Sequence, residues 1–278
     1  MKPITWGKKA LVVCIAAVVG LTACKQVNTT SSGAIGINRK QYMMVSAQET
    51  DQMAATSYRQ TLQEATNART LNTDKRLTTR VRNIANRLIP QVATFRQDAL
   101  KWQWEVNVMQ SDELNAYCMS GGKIMFYSGI ITRLKLTDDE IAAVMGHEIS
   151  HALREHSRER LSQAYGSSMA LNILGKAAKL DTGSQDLLEK AFTVAYTLPH
   201  SRDHETEADL MGVELAARAG YDPRAAISLW QKMGSTGGSK PAEILSTHPS
   251  DQTRMNTLNN AMPKVVPIYE AARGTRKG

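Results

Sequence analysis

Two histidines four residues apart with a glutamate beside the first, His147-Glu148-Ile149-Ser150-His151, are the residues of this 278-residue chain whose types and spacing most directly allow chemistry. On a helix His147 and His151 share one face, so both imidazoles can reach a single metal ion at ~2.0–2.1 Å. Glu148 is turned about 100° from His147, beside the metal and not on it, where a carboxylate can take a proton from an activated water. This is the geometry of metal-assisted hydrolysis, although a pair of helical histidines also occurs in purely structural sites. A catalytic zinc needs a third protein ligand and an open position. In His204-Glu205-Thr206-Glu207-Ala208-Asp209, Glu205 and Asp209 are spaced i, i+4 on one helical face. Glu207 points about 160° away from Glu205. Glu205 is therefore assigned to the metal, one zinc per chain. Asp209, one turn on, is placed to hold the far nitrogen of a ligand imidazole, fixing its tautomer and raising its basicity. Standing alone, the same acidic cluster would be a solvated helix face.

Three segments in order, HEISH, SRDHETEAD and THPSDQTR, resemble the HtpX-like and CAAX-prenyl-protease-like family of zinc metallopeptidases, in particular its periplasmic lipoprotein and mitochondrial quality-control branches. The resemblance covers roughly residues 115–254. It implies a gluzincin fold, a bound zinc, and cleavage of misfolded or misassembled envelope proteins. In that family the glutamate of the ExxxD pattern is the third ligand, which agrees with Glu205. The branch that uses a third histidine is excluded, because His156 falls nearly opposite His147 on a continuous helical wheel. The family's His-Pro segment, with an arginine six residues after the histidine, is matched by His248, Pro249 and Arg254. The resemblance gives His248 two roles, stabilising the oxyanion or occupying the open metal position in a resting state, and spacing does not choose between them. A loop histidine ahead of a helix capped by Ser250 is the plain structural reading. Asn115-Ala116 followed by Gly121-Gly122 resembles the family's edge-strand region, where a peptide could add as an extra strand. An ordinary hairpin turn fits the same residues.

These side chains need helices to carry them. Thr137-Asp138-Asp139-Glu140 fits a capping box, so the helix bearing His147 should run from about Asp138 to about Gln163. A second helix from about Arg202 to Ala219, ended by Gly220, should carry Glu205. Asp222-Pro223 opens a further helix to about Met233, followed by a flexible loop over 234–240. Apolar residues recur at helical spacing over 48–69 and 74–97. Trp102, Trp104, Val106 and Val108 alternate, and 123–128 is a second β-like run, so a small sheet should precede the HExxH helix. Residues 165–198 are long enough to form a helical lid, whose apolar stretch 169–180 packs in the core or touches a membrane or barrel partner. His156, His200 and His204 are read as surface residues or as supports of the metal ligands. The expected fold class is α+β and predominantly helical, a gluzincin with its sheet beside the HExxH helix.

The first 23 residues read as a lipoprotein signal peptide: a short basic start, an apolar run over 10–20 too short to span a bilayer, and Leu21-Thr22-Ala23-Cys24, which resembles the bacterial lipobox. Cys24 would then be lipidated and hold the protein at the membrane without a spanning helix. Lys25 is not the aspartate of an inner-membrane retention signal, so the expected address is the outer membrane, facing the periplasm. Residues 24–37, rich in Ser, Thr and Gly, are expected as a flexible tether, residues 38–262 as the peptidase domain, and 263–278 as a basic tail. With Cys14 in the leader and Cys24 acylated, Cys118 has no intramolecular partner and is read as a small buried residue. The composition, 42% hydrophobic and 22% charged, suits one globular domain. The formal charge of +8 includes Lys2, Lys8 and Lys9 of the leader. No basic stripe with interleaved aromatics is present, which argues against nucleic acid. Expected partners are unfolded or misassembled envelope proteins, the membrane through Cys24, and an outer-membrane barrel or its assembly machinery. The competing reading is a zinc-stabilised chaperone or assembly lipoprotein that binds such clients without cutting them.

Overall fold

The helix that carries His147 begins where the capping box puts it. Thr137 Oγ1 accepts from the backbone N–H of Glu140 at 3.2 Å, and the Glu140 carboxylate accepts from the N–H of Thr137 at 2.8 Å. The computed structural model describes residues 25–177, 190–193, 195, 200–235, 243–248 and 252–274. In chain order its strands are β1 (Lys25–Val27), β2 (Gln41–Met43), β3 (Glu105–Met109), β4 (Ala116–Met119) and β5 (Lys123–Tyr127). Its helices are α1 (Ala47–Asn67), α2 (Lys75–Leu88), α3 (Ser128–Arg133), α4 (Asp138–Leu153), α5 (His156–Ala177), α6 (Arg202–Arg218), α7 (Ala225–Gly234), α8 (Glu243–Thr247) and α9 (Gln252–Gly274). Two 3-10 turns follow α2, at Ile89–Thr94 and Gln97–Lys101. The fold is α+β and predominantly helical, as expected, with small sheets beside the helix that carries the HExxH residues.

Helices α4 and α6 form the centre. They touch at glycines: a Cβ on Gly146 would lie 2.7 Å from the Gly212 carbonyl oxygen, and one on Gly212 would lie 2.7 Å from the His147 backbone nitrogen. Only glycine on both sides lets the backbones approach this closely, and the approach brings the HExxH face within reach of Glu205. Val144, Met145, Ile149, Met211, Val213 and Leu215 bury the rest of the contact. The three-stranded sheet has the order β3-β5-β4, with β3 parallel and β4 antiparallel to β5. Strand β4 is thus an edge. Its turn into β5 is made by Gly121 and Gly122 at φ +75° and +82°, a conformation that strains other residues.

Four expectations change. The helix expected over 138–163 breaks at Arg154-Glu155, where Glu155 adopts φ +52°, and α5 starts afresh at His156. No glycine or proline marks the break. It is held instead by ion pairs of Glu155 with Arg96 and Arg158. The expected tether is docked from Lys25 onward. Strand β1 pairs with β2, Ser31 N–H donates to the Phe95 carbonyl at 2.7 Å, and the N–H groups of Ala34 and Ile35 donate to the buried Glu214 carboxylate. A segment whose backbone groups find partners on the body has no reason to stay solvated. The expected basic tail is largely helix: α9 runs through Pro263 and Pro267 because Val265 and Tyr269 are buried against the core, which offsets the lost backbone bonds. Helix α7 starts at Ala225, after Asp222 accepts from the Arg224 N–H, two residues beyond the expected proline start. The leader with Cys24, residues 236–240 of the expected loop, and residues 178–189, 194 and 196–198 of the expected lid lie outside the described residues.

Candidate active site

Four donor groups converge between α4, α6 and the residue that follows α8. His147 Nε2 and His151 Nε2 are 3.1 Å apart, and each lies 3.5 Å from an oxygen of Glu205. His248 Nδ1 lies 3.2 Å from His147 Nε2 and 2.9 Å from Glu205 Oε1. A tetrahedral zinc with bonds of ~2.0–2.1 Å has donor-to-donor edges of roughly 3.3–3.4 Å, so these atoms fit one such ion. The set His147, His151, Glu205 and His248 is also chemically right for it, three imidazoles and a carboxylate, all buried. The predicted third ligand is therefore beside the two histidines, and His248 stands with them as a fourth donor.

The supports of this set are ordered by charge. His147 Nδ1 donates to Asp209 Oδ1 at 3.0 Å, leaving Nε2 free to bind. Arg254 locks both acids, with Nη2 to Asp209 Oδ1 and Nη1 to Glu205 Oε2, each at 2.7 Å. Its guanidinium lies 3.9 Å from the Trp230 ring centroid, and Trp230 also meets the His147 ring edge-on. Burial alone would raise the pKa of Asp209, but Arg254 outweighs it and holds the carboxyl below its ordinary value. Glu205 is lowered in the same way, against its own burial, by His248, His147 and Arg254. The arginine six residues after His248 thus braces both Glu205, in the donor set, and Asp209, which accepts from His147.

Glu148 projects into the same space from the next position on α4. Burial raises its pKa, and its Oε1 has no hydrogen-bonding partner among the described residues, with His248 Nε2 3.6 Å away. An unpartnered buried carboxylate oxygen beside a metal-donor set is the group a proton-abstracting base requires. A cleft of about 200 Å3 opens onto it, lined on one wall by Asn115, Tyr117 and Met119 of the edge-strand region and on the other by Glu148, His151 and His248. Cys118 is buried, is a free thiol, and burial pushes its pKa well up, so it packs beside the cleft without being reactive.

The three unassigned histidines are not on the surface. His200 stacks on His248 with ring centroids 5.0 Å apart. His156 and His204 are buried and stack on each other at 4.2 Å. His156 Nδ1 lies 2.9 Å from His151 Nδ1, and its Nε2 donates to Glu207 at 2.9 Å. His156 stands outside the donor set, because the chain turns at Glu155 and brings it back behind His151. Glu207, turned away from Glu205 on the helix, is buried. Nothing in the sequence pointed to this pair, because their partners come from the break and from the N-terminal segment.

The Peptidase family M48 model matches residues 75–262 of this chain. Mitochondrial metalloendopeptidase OMA1 of Arabidopsis thaliana is 35% identical over 177 residues, covering 63% of this chain and 35% of that protein. The Schizosaccharomyces pombe protein of the same name is 32% identical over 229 residues, covering 82% and 65%. The Beta-barrel assembly-enhancing protease of Escherichia coli (strain K12) is 27% identical over 210 residues, covering 71% and 42%. The matched regions thus span about a third to two thirds of the length of these relatives. With a match over most of its length, and with paired histidines, a third acidic donor and a buried glutamate inside the matched region, the chain belongs to peptidase family M48.

Proposed function

We propose that the protein is a zinc-dependent endopeptidase of the bacterial cell envelope that cleaves misfolded or misassembled proteins. The observation that carries this reading is the donor set of His147, His151 and Glu205 with Glu148 Oε1, which has no hydrogen-bond partner among the described residues, beside it. A zinc ion held by His147, His151 and Glu205 would supply Lewis acidity, able to polarise a carbonyl and to acidify a water near neutral pH. Glu148 takes the proton of that water and passes it to the leaving amine. Asp209 keeps the proton on His147 Nδ1, and Arg254 keeps Glu205 ionised and in place. A peptide lying along the edge strand β4 would be held mainly by backbone pairing, which favours extended, unfolded chains over a defined sequence.

His248 takes the role of a resting-state fourth donor. Its Nδ1 lies as close to Glu205 and His147 as the other donors lie to one another, so it completes a fourth corner of the set. Cleavage then requires His248 to leave, after which its imidazole is free to stabilise the oxyanion. Burial disfavours its charged form, but Glu148 and Glu205 outweigh burial and raise its pKa, which suits the second role.

The envelope address rests on the lipobox at Cys24 and on similarity to a protein named as a beta-barrel assembly-enhancing protease. Among the described residues no helix is long and apolar enough to cross a membrane. A lipid on Cys24 would attach the protein to the outer membrane, with assembling barrel proteins as clients. The competing chaperone reading separates by one experiment, digestion of casein by the full chain and by Glu148→Gln, with client binding measured alongside. Cleavage by the wild type and a loss of ~10²-fold or more in the variant is expected. Binding by both without cleavage by either would leave the chaperone reading standing.

A further inference from the structure

The two histidine ligands are backed differently. Behind His147 stands a carboxylate held by Arg254. Behind His151 stands another histidine, and the hydrogen-bond chain that starts there ends on the N-terminal strap, residues 25–45. His151 must offer the Nε2 lone pair to a metal, so its proton sits on Nδ1. Only one proton fits between two Nδ1 atoms 2.9 Å apart, so His156 accepts it and carries its own proton on Nε2. That proton is donated to Glu207 Oε2 at 2.9 Å. Every donor in the series has one acceptor, and reversing any link would break the next.

Glu207 is in turn fixed by two arginines. Arg154, fully buried at the helix break, donates to Glu207 Oε2 at 2.9 Å. Arg39, on the strap, donates from Nε to Glu207 Oε1 at 2.7 Å while its two terminal nitrogens reach Glu159 at 2.7 and 2.8 Å. Glu159 also accepts from Gln41 of the strap at 2.7 Å and contacts His204 Nε2 at 3.1 Å. Arg154 closes the ring by donating to the Arg39 carbonyl at 3.0 Å. Two buried carboxylates at the bridge would repel without a shared cation, and the planar fork of Arg39 is suited to span both.

We propose that Arg39 is a positioning residue for the metal centre: the docked strap holds Glu207, and through His156 it keeps His151 in the tautomer and orientation that bind metal. Loss of the strap's hold then lowers zinc affinity at a site that the strap does not touch. A tether ending at a membrane anchor would in this way be coupled to how tightly the enzyme keeps its metal. The inference rests on the zinc reading of the site.

The test measures zinc affinity of the full chain by competition with a chromogenic chelator, together with the visible spectrum of the cobalt-substituted protein and the melting temperature of the metal-free form. His156→Gln and Glu207→Gln are expected to weaken zinc ~10–100-fold, and Arg39→Gln to weaken it on the order of tenfold with an altered cobalt spectrum. Arg39→Lys, which restores one ion pair without the fork, should recover part of the loss. Because the Arg39 side chain is 30% exposed, its variants guard against a failure to fold. Unchanged zinc affinity and cobalt spectrum in the Arg39 variants, even with a lower melting temperature, would overturn the proposal and leave Arg39 as a structural ion pair only. A wild type that binds no zinc would overturn the zinc reading itself, an outcome distinct from equal binding by wild type and variants.

Discussion

At the scale of single residues the site is a balance of burial against charge. His147, Glu148, His151, Glu205, Asp209 and His248 are all buried, and what keeps Glu205 and Asp209 ionised against that burial is the neighbouring histidines and Arg254. Removing Asp209's charge by Asp209→Asn should release the His147 tautomer and strand part of Arg254, with zinc affinity falling ~10–100-fold in a chelator competition. Replacing His248 with alanine should remove the lag before casein cleavage while lowering the turnover of the opened enzyme, since the gate and the oxyanion donor are lost together. An unchanged lag would end its role as a gate, and an unchanged turnover after the lag would end the oxyanion role. The pattern of His147, Glu148, His151, Glu205 and Asp209 was legible because each pair sits within one helix, where spacing alone fixes direction. His156 and Glu207 were not legible. Their directions depend on a left-handed Glu155 that no glycine announces, and on Arg39, more than a hundred residues away in sequence.

At the scale of elements the site depends on how closely α4 and α6 approach. The two backbones meet at Gly146 and Gly212, one residue before His147 and seven after Glu205, so their spacing sets the distance between the ligands. Gly212→Ala gains helix propensity worth about 1 kcal/mol. Its Cβ, however, would meet the backbone nitrogen of His147 at 2.7 Å, an atom that cannot swing aside. The variant should therefore lose about 1–3 kcal/mol of stability in denaturant unfolding and bind zinc more weakly. A gain in stability would show that the helices can separate without cost. The capping box before α4 and the glycine after α6 made the start of α4 and the end of α6 readable in the sequence. The break between α4 and α5 was hidden because it is stabilised by Arg96 and Arg158, long-range and local charge partners that periodicity does not encode.

At the scale of the molecule, the N-terminal strap, the helix break and α6 are joined through buried carboxylates. For both Glu159 and Glu207 burial works in the opposite direction, yet their pKa values are lowered, Glu159 by Arg39, His204 and Gln41, and Glu207, to about 2, by His156, Arg39 and Arg154. Lowered folded pKa values mean that the unfolded chain binds more protons below its ordinary carboxylate range. The stability these groups contribute is therefore complete above about pH 4.5 and is lost as pH falls toward 2. Melting curves across that window should show stability falling with acidification, and the fall should be shallower in Glu207→Gln. Composition suggested a free tether here because Ser, Thr and Gly suit solvated chain. The same residues also suit close docking when a body supplies backbone partners, and the choice is made by tertiary contacts with Phe95, Arg154 and Glu214. The account as a whole turns on one ion in one place. Anomalous scattering at the zinc edge, from crystals of the zinc-loaded full chain, should give a single peak ~2.0–2.2 Å from His147 Nε2, His151 Nε2 and a Glu205 oxygen. A peak elsewhere, or no peak in that cluster, would contradict it.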